Sequence, residues 1–289
     1  MSFLNEDENL EKILPLDGPS IKEAKKYLNK YQNEFIILKL GGSVLKYTNL
    51  FKTLIEDICI LKKLGFNPIL IHGGGKKLTN KLDQLNVKSN FINGLRVTDN
   101  KIINVVEEVF LEFNKEIINE IKKHSVNTAR ISSKENNIIL VKKINEQLGF
   151  VGKPTELIIN VLQKIIDSNK IPVIAPLGLD SEGQVYNVNA DDIASFVAKK
   201  LNARRLLFIS DTVVFDKDKK LISEINSEKA KELIKNDIIS GGMVVKINNC
   251  LDVVINSKVK GVCILDGKIP RALLFELLSS AGSGTLIRK

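Results

Sequence analysis

Short apolar runs, each closed by turn residues, punctuate this chain: FIILKL (35–40), NPILIH (67–72), IPVIAPLG (171–178), RLLFIS (205–210), GVCIL (261–265) and GTLI (284–287). Runs of this length bounded by glycine, proline or serine read as buried strands. Between them apolar positions recur at helical spacing over 50–64, 100–123 and 155–168. DDIASFVAKKL (191–201) does the same, with Ile193, Phe196, Val197 and Leu201 on one face. Strand–helix alternation predicts an α/β fold around a mostly parallel sheet covered on both sides. Alternating stretches around 87–98, 138–143 and 184–188 predict hairpins attached at the sheet's edge.

The first 33 residues break this rhythm. Leu10, Ile13 and Leu14 form a small apolar patch that ends at Pro15 and the Gly18-Pro19 pair. SIKE (20–23) then spells a capping box, with Ser20 as N-cap and Glu23 reaching back. The helix it opens carries Ile21, Ala24, Leu28 and Tyr31 on one side, a face too small to fold alone and in need of a partner surface. The expectation is a kinked helical arm ahead of the first core strand.

Composition narrows the class. Of 289 residues, 44% are hydrophobic and 27% charged, enough for a sizeable core. No apolar run is long enough to span a bilayer, and the acidic start MSFLNEDENLEK lacks a signal-peptide core, so a cytoplasmic, membrane-free protein is expected. Cys59, Cys250 and Cys263 are scattered without CxxC spacing and read as reduced packing residues. Only two histidines, His72 and His124, are present, which excludes an imidazole-rich metal site, and no metal-ligating residues are assigned. The net charge of +9 fits nucleic acid or small anionic substrates; without RNP aromatics, zinc fingers or RGG tracts, no nucleic-acid partner is expected.

Two strands end on bare glycine. LKLGGSVL (38–45) sets Lys39 just before Gly41-Gly42, and LIHGGGKKL (70–78) repeats the design around Gly74-Gly75. Glycine lets backbone approach a ligand closely, and lysine supplies a compact positive charge. Neither stretch is a P-loop, which would need glycine at Leu70 and Ser or Thr at Lys77, nor a dinucleotide fingerprint, which would need glycine at Leu78. Paired glycine turns after strands point to bound anions. Arg96, in INGLRVTD (92–99), offers a planar fork for a carboxylate or sits in a surface ion pair. Asp191, in YNVNADDIASFVA, opens a helix, where a carboxylate also serves simply as an N-terminal charge. Lys246 lies one turn inside the helix opened by SGGMVVK, a position that taken alone reads as a solvated lysine.

KLGGS, IHGGG, NGLRVTD, GFVG, NVNAD and GGMVVK stand in the order and approximate spacing of the N-acetyl-L-glutamate kinases of the amino acid kinase family, which this chain resembles from about residue 35 to its end. The resemblance implies the family's fold: a three-layer sandwich around the central sheet, with two lobes in one domain. It places an acylamino acid and phosphoryl site in 34–180, a nucleotide site in 181–289, and a helical arm in 1–33. By the same resemblance Lys39 and Lys246 stabilise the transferring phosphoryl group and Asp191 holds them. Gly41 and Gly42 bind phosphate; Gly74, Gly75, Arg96 and Asn187 bind the acceptor. Two departures stand out: Lys76-Lys77 replaces a Pro-Glu-like pair, and NTARISSKENN (127–137) lacks the usual glycines.

The implied activity is ATP-dependent phosphorylation of N-acetyl-L-glutamate in arginine biosynthesis, with Mg²⁺ carried on the nucleotide. A kinase for another carboxylate, such as an aminoadipate derivative, and a non-catalytic sensor are the alternatives. The arm and the tail RALLFELLSSAGSGTLIRK (271–289) resemble the extended, arginine-inhibited members. That likeness implies a hexamer built as a trimer of dimers, an L-arginine site at Glu276, Gly282 and Gly284, and a PII signalling protein among the partners.

Overall fold

The computed structural model describes residues 6–42 and 48–289; residues 1–5 and 43–47, the latter holding the end of the first glycine motif, lie outside the described residues. Two short helices, α1 (Glu6–Ile13) and α2 (Ile21–Tyr31), precede strand β1 (Phe35–Leu40). Helix α3 (Thr48–Lys63) and β2 (Asn67–His72) follow, then α4 (Gly75–Gln84), β3 (Phe91–Ile92), β4 (Leu95–Arg96) and the long α5 (Asn100–Lys122). Next come β5 (Thr128–Ile131), β6 (Ile139–Lys143), β7 (Val151–Leu157), α6 (Ile159–Asp167), β8 (Ile171–Ile174), β9 (Leu177–Leu179), β10 (Val185–Val188) and α7 (Ala190–Lys200). The chain closes with β11 (Arg205–Ser210), β12 (Glu224–Ile225), α8 (Ser227–Lys235), α9 (Gly242–Ile255), β13 (Val262–Asp266), α10 (Ala272–Leu278) and β14 (Gly284–Ile287).

Eight strands form the central sheet in the order β12-β14-β13-β11-β1-β2-β8-β5. All are parallel except that β14 runs against β13 and carries β12 with it. Because strand side chains alternate, each buried strand feeds two cores. Ile37, Ile69, Ile71, Leu206 and Ile264 pack with α6, α7 and α9, whereas Ile36, Leu38, Leu70, Leu207 and Cys263 pack with α2, α3, α5 and α10. This is the expected three-layer α/β sandwich. Lys39 takes the position after Ile37 on the face that meets α7.

Several expectations change. The stretches at 138–143 and 184–188 do not extend the main sheet; β10, β7, β6 and β9 close into their own four-stranded ring. Each stretch does sit in a hairpin, β3 with β4, β6 with β7 and β9 with β10, but none of the three lies at the main sheet's edge. IPVIAPLG is two strands, broken at Ala175-Pro176, and 155–157 is the end of β7 while α6 begins at Ile159. β5, inside the stretch whose glycines are missing, is an edge strand of the main sheet.

The arm is kinked as expected, but its packing differs. Ser20 caps α2, accepting the Glu23 N–H at 3.3 Å. The Glu23 carboxylate does not return to Ser20; it accepts the N–H of Ser280 at 3.0 Å and the Ser280 hydroxyl at 2.7 Å. Ala24 and Tyr31 are fully enclosed by the chain's own core, and Leu10 is buried too. Part of the apolar face thus finds its surface on α10 and Phe66 of the same chain, while Ile21 and Leu28 remain only part-buried.

Candidate active site

Parallel strands bring their carboxyl ends to one side, where ligands bind in open α/β sheets. Here Gly41-Gly42 after β1, Gly73 to Gly75 after β2, Pro176 after β8 and Ser210-Asp211 at the end of β11 enclose a cleft of about 470 Å³. The two glycine turns are joined directly, since the Gly73 N–H donates to the Leu40 carbonyl at 3.0 Å. Within each turn the paired glycines serve different ends. A Cβ at Gly41 would collide with the Ile209 carbonyl, and one at Gly74 with the Phe110 ring. At Gly42 and Gly75 a Cβ would meet no atom of the described residues within 4 Å, although both line the cleft. Packing explains the first glycine of each pair; the second leaves open space beside the cleft.

Charge converges on Asp191. Asn189 caps α7 by accepting the N–H of Asp191 at 2.8 Å, which places that carboxylate in the first turn, beside β1. Lys39 Nζ stands 2.7 Å from Asp191 Oδ1, at an angle that makes it a charge contact and not an aligned hydrogen bond. Asp191 also lines a second recess, shared with Gly242, Lys246 and Asn93. Gly241, at φ 55°, turns the chain into α9 in the left-handed region that favours glycine. One turn on, Lys246 donates to Ser210 Oγ at 3.1 Å and lies 5.9 Å over the Phe208 ring. Burial holds the Lys246 pKa below its ordinary value; Asp191 pulls it back up and the Lys39 charge opposes that.

The acceptor-side residues form one chain. Arg96 is 7% exposed, with Nη2 donating to Thr79 Oγ1 at 2.7 Å and to the Gly75 carbonyl at 3.3 Å, and Nη1 donating to Ser89. Its plane lies 4.6 Å from the Phe91 ring. These acceptors are neutral, so Arg96 is not the surface ion pair that its sequence context allowed; burial lowers its pKa. Thr98 Oγ1 donates to the Arg96 carbonyl at 3.0 Å and accepts Asn187 Nδ2 at 3.1 Å.

Lys39, Asp191, Gly41, Gly42, Gly74, Gly75, Arg96 and Asn187 thus line one cleft, and Lys246 lines the adjoining recess together with Asp191. Glu276, Gly282 and Gly284 lie together elsewhere: Glu276 Oε2 accepts the N–H of Ser283 at 3.0 Å and of Gly284 at 3.2 Å. Sequence reasoning gave no role to Ser210, Asn189 or Lys76. A polar residue closing the strand next to β1 is the signal for Ser210; NVNAD held Asn189 in plain sight. Lys76 Nζ stands 3.8 Å from Asp211 across the cleft mouth, while Lys77 turns away to Glu116 at 2.7 Å.

The profile of the Amino acid kinase family matches residues 34–265. The chain is 59% identical over 290 residues to an acetylglutamate kinase of Pelagibacter ubique, covering 100% of both. It is 42% identical to an acetylglutamate kinase of Campylobacter fetus, over 93% of this chain and 96% of that one. Among solved structures, N-acetylglutamate synthase from Neisseria gonorrhoeae complexed with coenzyme A and L-arginine superposes with a TM-score of 0.81 at 21% identity, covering 94% of this chain and 66% of the synthase. Giardia carbamate kinase superposes with a TM-score of 0.64 at 14% identity, over 89% of this chain and 99% of that one. At such identities the likeness is one of fold.

Proposed function

The chain belongs to the amino acid kinase family, and from that membership we propose that it transfers the γ-phosphoryl group of ATP to the side-chain carboxylate of N-acetyl-L-glutamate. The products are ADP and N-acetyl-L-glutamyl 5-phosphate, in L-arginine biosynthesis. The observation that carries the reading is the Lys39–Asp191 pair, 2.7 Å apart, set between two glycine turns in one cleft.

The acceptor is a carboxylate, ionised at neutral pH, so no protein base has to remove a proton. The task is to bring two anions together and offset charge during in-line transfer. Lys39 and Lys246 flank the transferring group, and Asp191 sets the position of both. The amides of Gly41 and Gly42 meet phosphate oxygens, and those of Gly74 and Gly75 meet acceptor oxygens. Arg96 grips the α-carboxylate with the fork its neutral partners leave uncompensated, and Asn187 meets the acetamido end. Apart from Asn187, the acceptor's residues lie in the 34–180 portion, and the nucleotide takes 181–289. Mg²⁺ carried on the nucleotide would offset negative charge on the phosphates; the cleft itself offers mainly lysines and amides, with Asp191 engaged by Lys39 and Asp211 near Lys76.

Release of ADP with N-acetyl-L-glutamate, compared with L-glutamate, L-aspartate and an N-acetylated aminoadipate, tests the assignment. Selective turnover of N-acetyl-L-glutamate is expected. Preference for the longer acid would move the substrate, and silence with every acceptor would leave a sensor.

The regulatory part of the proposal is a hexamer inhibited by L-arginine, with a PII signalling protein as partner. It draws support from the tail motif and from the closeness of Glu276, Gly282 and Gly284. Since Glu276 Oε2 is held by backbone, arginine's guanidinium would address the other carboxylate oxygen. Light scattering and ADP release with added arginine test it; a dimer indifferent to millimolar-scale arginine would defeat this part and leave the kinase assignment intact.

A further inference from the structure

Two polar side chains lie fully buried beneath the second glycine turn: His72 and Asn114, both with no exposed surface. Phe110 and Phe113 meet the imidazole edge-on, with ring centroids 6.3 and 5.0 Å away. The hydrogen bonds settle the proton positions. Carbonyl oxygens only accept, so His72 Nδ1, 2.9 Å from the Gly73 carbonyl, carries the proton and donates it. Asn114 Nδ2 donates one hydrogen to the Val173 carbonyl at 2.9 Å and the other to His72 Nε2 at 3.3 Å. A chain of donors thus runs from β8 through α5 to the glycine turn.

The consequence lies in peptide geometry. A trans peptide is planar, with its C=O and the next N–H pointing opposite ways, and no bond among the described residues is cis. With the Gly73 carbonyl held inward by His72, the Gly74 N–H faces away from the core, on the side of the cleft that Gly74 lines. Glycine tolerates either orientation of such a peptide, so the turn alone does not choose one. Gly73 is also tied through its own N–H to Leu40, which leaves the 73–74 peptide plane as the freedom still to be set.

We propose that His72 is a positioning residue: its Nδ1–H locks the Gly73–Gly74 peptide so that the Gly74 N–H faces the cleft, and Asn114 holds the tautomer that makes this donation possible. The inference rests on the reading of that cleft as an anion-binding site. It also accounts for a polar pair kept in a core where apolar side chains would pack as well.

His72→Asn retains a donor near the Nδ1 position, whereas His72→Leu fills the space without one. His72→Leu should lower kcat at least about tenfold, and His72→Asn should stay within about threefold of the parent. In ¹⁵N-glycine-labelled protein without ligand, the Gly74 amide resonance should move in His72→Leu and remain near its parent position in His72→Asn. Equal losses in both variants, a folded His72→Leu with parental kcat, or a resonance displaced alike in both would overturn the proposal. If His72→Leu does not fold, a folded His72→Asn that loses more than tenfold in kcat overturns it and one within threefold upholds it. The resonance needs no catalytic assay, so failure of the kinase reading would show in turnover and leave the peptide result standing.

Discussion

Arg96 and Arg271 are almost equally buried, 7% and 9% exposed, and stand in opposite company. Arg271 opens α10 with φ 60°, a left-handed backbone uncommon outside glycine. It meets Asp17 of the arm at 3.0 Å and Glu56 and Asp57 of α3 at 2.8 Å each. Three carboxylates satisfy one guanidinium, and the arm is stitched to the body. Among the described residues, Arg96 donates to two hydroxyls and a carbonyl. A cation surrounded by carboxylates belongs to the fold, while a buried cation with neutral acceptors keeps charge uncompensated, which is why the proposed function sets a substrate carboxylate there. Lys39 and Lys246 fall between these cases, two cations sharing Asp191, with room for negative charge to arrive.

Breaking the seam should show most in stability. Arg271→Met leaves the buried Asp57 carboxylate without its cation and should cost about 3 kcal/mol in denaturant unfolding, with KM for both substrates unchanged. A variant as stable as the parent would remove the distinction between the two arginines.

Cleft substitutions should do the reverse. Lys39→Ala or Lys246→Ala should lower kcat about 10²-fold or more with little change in unfolding, because their charge matters most as the phosphoryl group moves. Near-parental kcat in either would strip that lysine of its role. A smaller effect is expected from Arg96→Lys: KM for the acetylated amino acid should rise about tenfold as the fork is lost, and KM for ATP should hold. An equal rise for both would place Arg96 at the wrong substrate.

The smallest signature is in pH. Burial pushes the Asp57 carboxyl up to about 7, above its unfolded value, so the folded state holds the extra proton and Asp57 makes stability fall as pH rises between about 4 and 7. Burial also pushes His72 down to about 4, so the unfolded state binds the extra proton and stability rises with pH between about 4 and 6.5. The two slopes oppose each other in the parent. Unfolding across that window should slope upward with pH in Asp57→Asn and downward in His72→Asn; slopes of the same sign in both would contradict the assignments.

Much of the sheet was legible because its cause is local. FIILKL, NPILIH and RLLFIS are too apolar and too β-branched to be anything but buried strands, and turn residues bound them. The ring of β6, β7, β9 and β10 was not legible, because alternation marks a strand without naming its neighbour. The cleft was legible in its glycines and Lys39, where a turn's chemistry is written into adjacent residues. Arg271 was not, since its carboxylates lie 254, 215 and 214 positions away in the chain.

The order of residues settled which segments are strands and helices, where the chain turns, and that bare glycine and lysine stand at the turns, for these follow from neighbours within a few positions. Three-dimensional packing alone decided which charges are spent. It gave Glu23 to Ser280 instead of its own helix start, packed Ala24 and Tyr31 of the arm into the same subunit's core, and set Arg96 against neutral acceptors. The physical reason is one of range. Propensity and capping act over a turn, but burial and charge pairing depend on which distant surfaces meet, and only the closed fold specifies that.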